Sequence, residues 1–232
     1  MEGTGKIYLV PTPIGNLSDI TRRALEILEQ SDIIACEDAR HSGRMLAQFN
    51  IKKRLISYHE FNEAKRAGQL VELVLSGKIL SVITDAGSPG ISDPAYRIIR
   101  AAIENNIPLI PLPGPNAIIP ALTGSGLPPD RFFFEGFLSN KSAARRKRLE
   151  ALKDYPHTLI FYESPHRIEK MIGDAFDTFG DRNACIAREI SKVHEEYIRG
   201  TLGYMKEVLT KRKLKGEIVV IIEGNNVKGR ND

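Results

Sequence analysis

The first half of the chain alternates short apolar runs with segments in which apolar residues recur at helical spacing. The apolar runs, rich in strand-forming residues, lie at residues 7–10, 33–36, 55–57, 79–84 and 108–112. The clearest helical face carries Ala67, Leu70, Val71, Val74 and Leu75. The first helix is expected to begin at a cap formed by Ser18 or Asp19. Strands that alternate with helices predict a parallel or mostly parallel α/β layer.

The second half begins near the turn sequence Leu127-Pro-Pro-Asp and is also expected to be α/β. Strands are expected at residues 132–135, 158–162, 184–188, 197–201 and 217–223. Helices are expected at residues 141–153, 168–179 and 202–209. A larger antiparallel share is expected in this half, so its sheet should be mixed. We therefore predict two domains, residues 1–126 and residues 127–232.

Composition excludes several classes of protein. With 232 residues, 42% apolar and 27% charged, the chain is typical of a globular protein and not of a disordered one. Its net charge of +4 permits an anionic partner without requiring one. Cys36 and Cys185 form no C-x-x-C pair, which disfavours zinc-ribbon and thioredoxin chemistry and favours a reduced compartment. The start at Met1 lacks a signal-peptide pattern, and no apolar run approaches the roughly 18 residues of a membrane span, so a cytoplasmic, soluble protein is expected.

Three loops rich in glycine and proline follow apolar strands, at residues 11–16, 85–94 and 113–116. In open α/β sheets, ligands bind beyond the carboxyl ends of the strands, so the three loops predict one ligand cleft. The loops match neither the dinucleotide pattern G-x-G-x-x-G nor the phosphate loop G-x-x-x-x-G-K-[ST]. Asp85, with Gly87 and Gly90 behind it, suits a ligand with hydroxyls, an amine or positive charge. S-adenosylmethionine has all three features and no phosphate.

Seven ordered motifs give the chain a close resemblance to a known family over nearly its whole length. They are Tyr8-Leu-Val-Pro-Thr-Pro-Ile-Gly-Asn-Leu-Ser-Asp-Ile, Cys36-Glu-Asp-Ala-Arg-His-Ser, Tyr58-His-Glu-Phe-Asn-Glu, Thr84-Asp-Ala-Gly-Ser-Pro-Gly-Ile-Ser-Asp-Pro, Pro113-Gly-Pro-Asn-Ala, Phe161-Tyr-Glu-Ser-Pro-His-Arg and Arg188-Glu-Ile-Ser-Lys-Val-His-Glu-Glu. These motifs resemble the ribosomal RNA small subunit methyltransferase I family, a branch of the tetrapyrrole methylase superfamily. Mild departures occur at Ala39, Phe61, Ser88 and Ile190, none of which removes a charge.

The resemblance implies two α/β domains of tetrapyrrole-methylase type, with the cofactor in the cleft between them, and a homodimer. It implies an enzyme that uses S-adenosylmethionine to methylate the ribose 2′-oxygen of a decoding-centre cytidine in the 16S rRNA of the small ribosomal subunit. Methyl transfer from a sulfonium is an in-line displacement that needs no metal, so no metal is expected. By position, the implied cofactor-binding residues are Pro13, Gly15, Asp85, Ala86, Gly87, Ser88, Ile91, Pro115, Asn116, Ala117, Phe161, Tyr162, Ala187 and Gly216.

Methyl transfer to a ribose hydroxyl requires alignment and benefits from a nearby base. Candidate groups for the base are Glu37, Asp38, His41, His59, Glu60 and Glu163, which the sequence does not rank. Our hypothesis is that Asp38 and Arg40 shape the pocket for the target ribose. His59 or Glu163 then assists removal of the proton. For each of these residues a purely structural role is the alternative.

The densest basic run of the chain lies in the helix expected at residues 141–153. If the substrate is structured RNA, this run is a natural contact for phosphates, although a solvated helix face is the ordinary alternative. The predicted RNA-binding residues are Lys141, Arg145, Arg146, Lys147 and Arg148.

Two rival functions stay open at this point. A methylase of the same fold could act on a tetrapyrrole or another small molecule. A non-catalytic RNA- or nucleotide-binding protein could bind a ligand without turnover. A nicotinamide oxidoreductase is disfavoured because the dinucleotide glycine pattern is missing.

Overall fold

A computed structural model describes residues 5–225 of the chain. The start of the chain at Met1, on which the expectation of no signal peptide was based, lies outside the described residues. Two compact units are present, Met1–Asn116 and Ala117–Asp232. Across residues 5–225, no helix is both long enough and apolar enough to cross a bilayer.

The first unit is a five-stranded sheet covered by helices. Its strands are β1 (Lys6–Leu9), β2 (Ile33–Cys36), β3 (Arg54–Ser57), β4 (Ile79–Val82) and β5 (Leu109–Pro111). Its helices are α1 (Arg22–Gln30), α2 (Ala39–Gln48), α3 (Glu63–Leu75) and α4 (Tyr96–Glu104). The strand order is β3-β2-β4-β1-β5, and every pairing is parallel. The predicted parallel layer is therefore confirmed.

Both faces of this sheet are covered by helices, which explains why its inner strands are mainly apolar rather than alternating with polar residues. The edge strand β3, with Arg54 and Ser57, is less buried. Along β1, Ile7 and Leu9 join the core beneath α3 and α4, whereas Tyr8 and Val10 join the core beneath α1 and α2. The predicted stripe on α3 is confirmed at Ala67, Leu70, Val71 and Val74, which are buried, whereas Leu75 is 59% exposed and lies outside the core. Full burial of a leucine side chain such as that of Leu70 stabilises the fold by about 1.5–3 kcal/mol.

The cap of α1 differs from the prediction. Thr21 is the N-cap, and its hydroxyl oxygen accepts a hydrogen bond from the N–H of Ala24 at 3.0 Å. Ser18 and Asp19 instead lie in a short 3-10 turn, Leu17–Asp19, which has its own cap at Asn16. The prediction was wrong because this turn, inserted between the loop and the helix, carries the same polar residue types as a helix cap.

The second unit is a mixed sheet with helices against it. Its strands are β6 (Phe132–Phe137), β7 (Thr158–Glu163), β8 (Asn183–Arg188), β9 (Glu196–Thr201) and β10 (Ile218–Ile222). Its helices are α5 (Ile118–Ser125), α6 (Ser142–Leu152), α7 (Ile168–Phe179) and α8 (Leu202–Lys211). In the order β6-β7-β10-β8-β9, only β6 and β7 pair in parallel within the described residues. The predicted mixed character is confirmed.

Helix α5 belongs to the second unit, because it packs on β8, β9 and β10. The hydroxyl of Tyr197 donates to the carbonyl oxygen of Pro120 at 3.1 Å. Gly124 lies so close to the ring of Tyr197 that a Cβ at this position would fall 2.5 Å from it. The two units therefore divide between Asn116 and Ala117, before α5, whereas the sequence places the boundary after residue 126.

Candidate active site

The strand order of the first unit brings its functional loops to one edge. Strands β2, β4, β1 and β5 are consecutive neighbours and all run in parallel. The segments that follow them therefore begin side by side at the carboxyl edge of the sheet. All three glycine- and proline-rich loops lie there, together with the acidic pair Glu37 and Asp38 that follows β2.

Hydrogen bonds connect the three loops to one another. Thr12 and Gly87 exchange backbone hydrogen bonds of 2.9 and 3.0 Å, as in a short antiparallel bridge. The buried hydroxyl of Thr12 donates to the carbonyl oxygen of Thr84 at 3.0 Å. The hydroxyl of Ser88 donates to the carbonyl oxygen of Pro115 at 3.1 Å. The loops after β1, β4 and β5 thus hold one another in a fixed arrangement.

Two glycines make this close packing possible. Gly87 has a φ of 79°, a left-handed conformation that glycine adopts without steric cost. A Cβ at Gly114 would lie 2.7 Å from the Cβ of Pro11, so only glycine lets the loop after β5 approach the loop after β1 this closely.

The remaining predicted cofactor residues of the amino-terminal loops lie on the same segments. They are Pro13, Gly15, Ala86, Ile91, Pro115 and Asn116. Ile91 is an exposed apolar side chain, available for contact with a ligand. Ala117 is the residue before α5 and belongs to the second unit.

Three carboxylates crowd together at this edge: Glu37, Asp85 and Asp93. Burial raises the pKa of Asp93 to about 6, and the negative charges of Glu37 and Asp85 add to that rise. The pKa of Glu37 is also raised, first by burial and then by the charge of Asp85. Within residues 5–225, no lysine or arginine forms an ion pair with any of the three, and no His, Cys, Asp or Glu group is arranged to hold a metal ion.

Asp93 is a site residue that the sequence reasoning did not single out. The preceding residue, Ser92, has a φ of 62°, which is uncommon for a residue other than glycine. Such strained backbone often accompanies a functional position. The only sequence signal for Asp93 was its place in the Gly-Ile-Ser-Asp-Pro stretch, inside a motif in which Asp85 and the glycines predicted the ligand site.

Asp38 has a structural task at the start of α2. Its carboxylate accepts the backbone N–H groups of Arg40 at 2.8 Å and His41 at 3.4 Å, and the Arg40 guanidinium lies 3.4 Å from it. The hydrogen bond from the Arg40 backbone is the main cause of the lowered pKa of Asp38. The N–H of Asp38 donates to Asp85 at 3.2 Å, which ties the segment after β2 to the loop after β4.

His59 is held by Asn62 at the carboxyl end of β3. The amide oxygen of Asn62 accepts from the backbone N–H of His59 at 2.9 Å, and its amide nitrogen lies 3.0 Å from His59 Nε2. The other ring nitrogen, Nδ1, is buried and has no hydrogen-bond partner within the described part of the chain. His59 also lies close enough to Glu37 for its charge to lower the pKa of that carboxyl.

Glu163 lies in the second unit and is buried. Its carboxylate accepts the backbone N–H of Ser164 at 2.7 Å and lies 3.0 Å from Nε of Arg167. Burial raises its pKa, which the contacts with Ser164 and Arg167 oppose. Both the hydrogen bond and the ion pair are satisfied by neighbours in sequence.

The predicted cofactor positions of the second unit are mostly interior. The side chain of Phe161 is part of the core, and Ala187 is fully buried. Tyr162 is half-buried, with its ring against Phe134 at a centroid distance of 4.9 Å. Gly216 has a φ of 87°, and a Cβ there would lie 2.2 Å from the carboxylate carbon of Glu189.

The basic run on α6 is largely neutralised within the second unit. Arg145 is only 4% exposed, and its guanidinium lies 2.6 Å from Asp174. Arg146 pairs with the same carboxylate at 2.6 Å, and Arg148 pairs with Glu135 at 2.6 Å. The prediction that Arg145 contacts RNA needs correction, because its buried charge has no surface to offer a phosphate. Lys141 and Lys147 are exposed and form no ion pair among residues 5–225.

Comparison with known proteins agrees with this architecture. The family model described as Tetrapyrrole (Corrin/Porphyrin) Methylases matches residues 6–206. A protein of Micromonospora olivasterospora named ribosomal RNA small subunit methyltransferase I is 45% identical over 224 residues, or 96% of this chain and 72% of that protein. Its namesake in Escherichia coli O157:H7 is 44% identical over 229 residues, or 97% and 79%.

Among solved structures, uroporphyrin-III-C-methyltransferase from Thermus thermophilus aligns with a TM-score of 0.67 at 20% identity, covering 96% of each chain. That likeness concerns the fold alone, and it agrees with a parallel first sheet and a mixed second sheet. The chain therefore belongs to the ribosomal RNA small subunit methyltransferase I family, within the tetrapyrrole methylases.

Proposed function

We propose that this methyltransferase uses S-adenosylmethionine to methylate the ribose 2′-oxygen of a decoding-centre cytidine in the 16S rRNA of the small ribosomal subunit. One structural observation supports the site above all others. Three carboxylates, Glu37, Asp85 and Asp93, share an edge with the joined loops and form no ion pair with a lysine or arginine among the described residues. The names of the relatives support small-subunit ribosomal RNA as the class of substrate. The cytidine and its ribose 2′-oxygen are the finer part of the proposal and rest on the resemblance described above. A cytoplasmic homodimer belongs to the same proposal.

The residues at this edge fit the proposed cofactor. S-adenosylmethionine carries a sulfonium and an ammonium, and a cation bound here would relieve the mutual repulsion of the carboxylates. Asp85 is the central acid, because its charge acts on both Glu37 and Asp93. The exposed side chain of Ile91 and the fixed backbone groups of the joined loops are available to the adenosyl part. The second-unit positions Phe161, Tyr162, Ala187 and Gly216 remain proposals.

When bound, S-adenosylmethionine supplies a methyl group whose bond to sulfur breaks, with the electron pair staying on sulfur, as the ribose oxygen attacks. The chain must then accept the proton of the ribose hydroxyl. Asp93 suits this task, because a carboxylate with a pKa of about 6 is ionised at neutral pH and is a stronger base than an ordinary one. Glu37, whose pKa is also raised, is the second candidate.

His59 is less suited to accept a proton than to donate a hydrogen bond. The oxygen of Asn62 accepts from the His59 backbone, so the Asn62 nitrogen must be the donor to Nε2. In the neutral ring the proton then resides on the unpartnered Nδ1. A donor at this place can orient a carboxylate or a substrate oxygen. The carboxylate of Glu163 is already engaged by Arg167 and Ser164, which argues against its role as the base.

Asp38 and Arg40 have different roles in the proposal. The carboxylate of Asp38 caps α2 and is committed to backbone N–H groups, so it acts by shaping the segment after β2. The guanidinium of Arg40 is 88% exposed and can meet a phosphate of the substrate beside the target ribose.

The proposal is tested by methyl transfer from labelled S-adenosylmethionine to small ribosomal subunits from a bacterium that lacks the corresponding methyltransferase. With S-adenosylmethionine at a concentration near its Kd for the wild-type protein, we expect nucleoside mass spectrometry to find 2′-O-methylcytidine with the wild type and much less with the Asp85→Asn variant. Parallel reactions contain uroporphyrinogen III and protein-free 16S rRNA. Methylation of the tetrapyrrole alone, or binding of the cofactor with no turnover on any acceptor, would refute the proposal and favour one of its two rivals.

A further inference from the structure

Phe61 is an aromatic side chain that the structure leaves 93% exposed. A single exposed apolar residue is normal on a protein surface and by itself marks no site. Its ring touches one other ring, that of His59, edge to face at a centroid distance of 6.1 Å. What distinguishes Phe61 is the combination of a rigid support and a position beside the proposed active site.

The support is a turn built by Asn62. Besides binding His59, the Asn62 amide nitrogen donates to the carbonyl oxygen of Ser57 at 3.2 Å, which fastens the turn to the end of β3. The backbone N–H groups of Asn62 and Glu63 both donate to the carbonyl oxygen of His59 at 2.9 Å. The turn that carries Phe61 is therefore fixed at both ends.

The segment is also fastened to α4. The carboxylate of Glu63 pairs with Arg97 at 3.1 Å, and the buried hydroxyl of Tyr58 accepts the backbone N–H of Ile98 at 3.2 Å. The backbone beneath the exposed ring is therefore held in place, so a ligand that contacts the ring does not have to immobilise the backbone first.

The position of the ring follows from the sheet. Strand β3 pairs in parallel with β2, so the turn after β3 lies at the same carboxyl edge as Glu37. His59, the residue against which the Phe61 ring leans, acts electrostatically on Glu37. The ring therefore lies at the edge of the cluster formed by Glu37, Asp85 and Asp93, whose members Asp93 and Glu37 are the proposed proton acceptors.

We infer that Phe61 is a stacking residue for the base of the nucleotide whose ribose is methylated. Single-stranded RNA is commonly held by bases that stack on exposed aromatic rings, and each such contact is lost at a measurable cost when the ring becomes alanine. Stacking fixes the plane of the base and so limits the positions that its ribose can take at the carboxylates. This inference rests on the proposed function, because it assumes an RNA substrate.

The chain offers an unusually direct test, because it contains no tryptophan. A Phe61→Trp variant has one tryptophan in the whole protein, and a stacked base quenches its fluorescence. Val193, which is 97% exposed in the second unit, provides the matched control as Val193→Trp. We expect saturable quenching by protein-free 16S rRNA with Phe61→Trp and little change with Val193→Trp. Equal quenching of both, or of neither, would overturn the inference.

Kinetics on small ribosomal subunits supply the second readout. Phe61→Ala should lower kcat/KM by roughly 5- to 100-fold, while Phe61→Tyr and Phe61→Trp retain most activity and S-adenosylmethionine affinity is unchanged in all three. Wild-type rates in Phe61→Ala would refute the stacking role alone. An absence of methylation by the wild-type protein would refute the proposed function and the inference together. A changed oligomeric state in Phe61→Ala would assign the ring to a subunit contact and also refute stacking.

Discussion

The two units of this protein differ in whether their buried or partly buried carboxylates have basic partners. In the second unit, Asp174 is 5% exposed and is neutralised by Arg145 and Arg146, and Glu163 is neutralised by Arg167. At the carboxyl edge of the first unit, Asp85 and Asp93 crowd together with no basic ion-pair partner in the described structure. The carboxylates that are paired with arginines of the same unit stabilise the fold. The carboxylates that have no such partner are available to bind a cationic ligand.

The largest effect is expected on stability, when the buried ion pair between Arg145 and Asp174 is broken. Asp174→Ala leaves the buried guanidinium of Arg145 without its partner, which typically costs about 3–5 kcal/mol. We expect a correspondingly lower midpoint in urea unfolding monitored by circular dichroism. The matched control is Glu26→Ala, which removes an exposed pair with Arg22 and should cost less than about 1 kcal/mol.

Equal losses in these two variants would contradict the assignment of the Arg145–Asp174 pair to the interior. An increase in stability for Asp174→Ala would contradict it as well.

The second effect concerns the unsatisfied charge and catalysis. If Asp93 accepts the ribose proton, kcat/KM should fall as the pH falls below about 6, because the carboxyl is then protonated. Asp93→Asn should lower kcat by about 100-fold or more and remove this acidic limb. The measurement is the rate of methyl transfer to small ribosomal subunits between pH 5 and pH 8.

If the Asp93→Asn variant keeps the acidic limb of the pH profile, another group is the base and the assignment to Asp93 is wrong. Glu37→Gln is the matched variant for that outcome, since Glu37 is the other carboxyl with a raised pKa.

A third and smaller effect concerns stability. The pKa of Asp93 rises from 3.8 to about 6 on folding, so the folded state holds this proton more tightly than the unfolded state. The folded state therefore loses stability as the pH rises from about 4 to above 6. The full pKa shift corresponds to about 3 kcal/mol, and the partial exposure of Asp93 to solvent reduces this penalty. At pH 7.5, Asp93→Asn removes the reduced penalty, and we expect a gain of about 1 kcal/mol, or about 2–4 °C in Tm.

The two proteins should have nearly the same Tm at pH 4, where Asp93 is mostly protonated in the folded wild type. Calorimetry at both pH values checks the sign, and an Asp93→Asn variant that is less stable at pH 7.5 would contradict it.

The smallest effect is expected on the basic helix α6. Lys147 on α6 and Lys141, the residue before this helix, are exposed and form no ion pair in the described part of the chain. The double variant to alanine should therefore weaken 16S rRNA binding only a few-fold at physiological salt. The slope of log affinity against log salt should decrease by about 0.7 for each phosphate contact that is lost. Lys170→Ala, on α7, is the control. An unchanged slope in the double variant would remove α6 from the RNA-binding surface.

The fold was predictable because its signals are local. Residue spacing alone predicts apolar strands such as β2 and the apolar stripe of α3. The predicted parallel and mixed sheets follow from these elements. The start of α1 was missed because capping residue types occur at Ser18, Asp19 and Thr21 alike. Position along the chain does not tell which of the three side-chain oxygens accepts the hydrogen bond from the first turn of the helix.

The candidate site was predictable only in part, because its properties depend on neighbours that are distant in sequence. The loops and Asp85 follow from glycine and proline at strand ends. The raised pKa of Asp93 instead comes first from burial and then from the charges of Glu37 and Asp85, and Glu37 is far away in the chain. For the same reason, the run around Arg145 looked like a free basic surface. Its partner Asp174 lies 29 residues further on, in the next helix.

The most direct test of the central claim is a calorimetric titration with S-adenosylmethionine and with its uncharged-sulfur product, S-adenosylhomocysteine. Asp85→Asn keeps the shape of the side chain and an oxygen for the Asp38 N–H but removes the central negative charge. We predict that this variant loses about 10-fold or more in affinity for S-adenosylmethionine, equivalent to about 1.4 kcal/mol, and much less for the product. Asp177→Asn on α7 should bind both as the wild type does. Wild-type affinity for S-adenosylmethionine in Asp85→Asn would contradict the claim that these carboxylates hold the methyl donor.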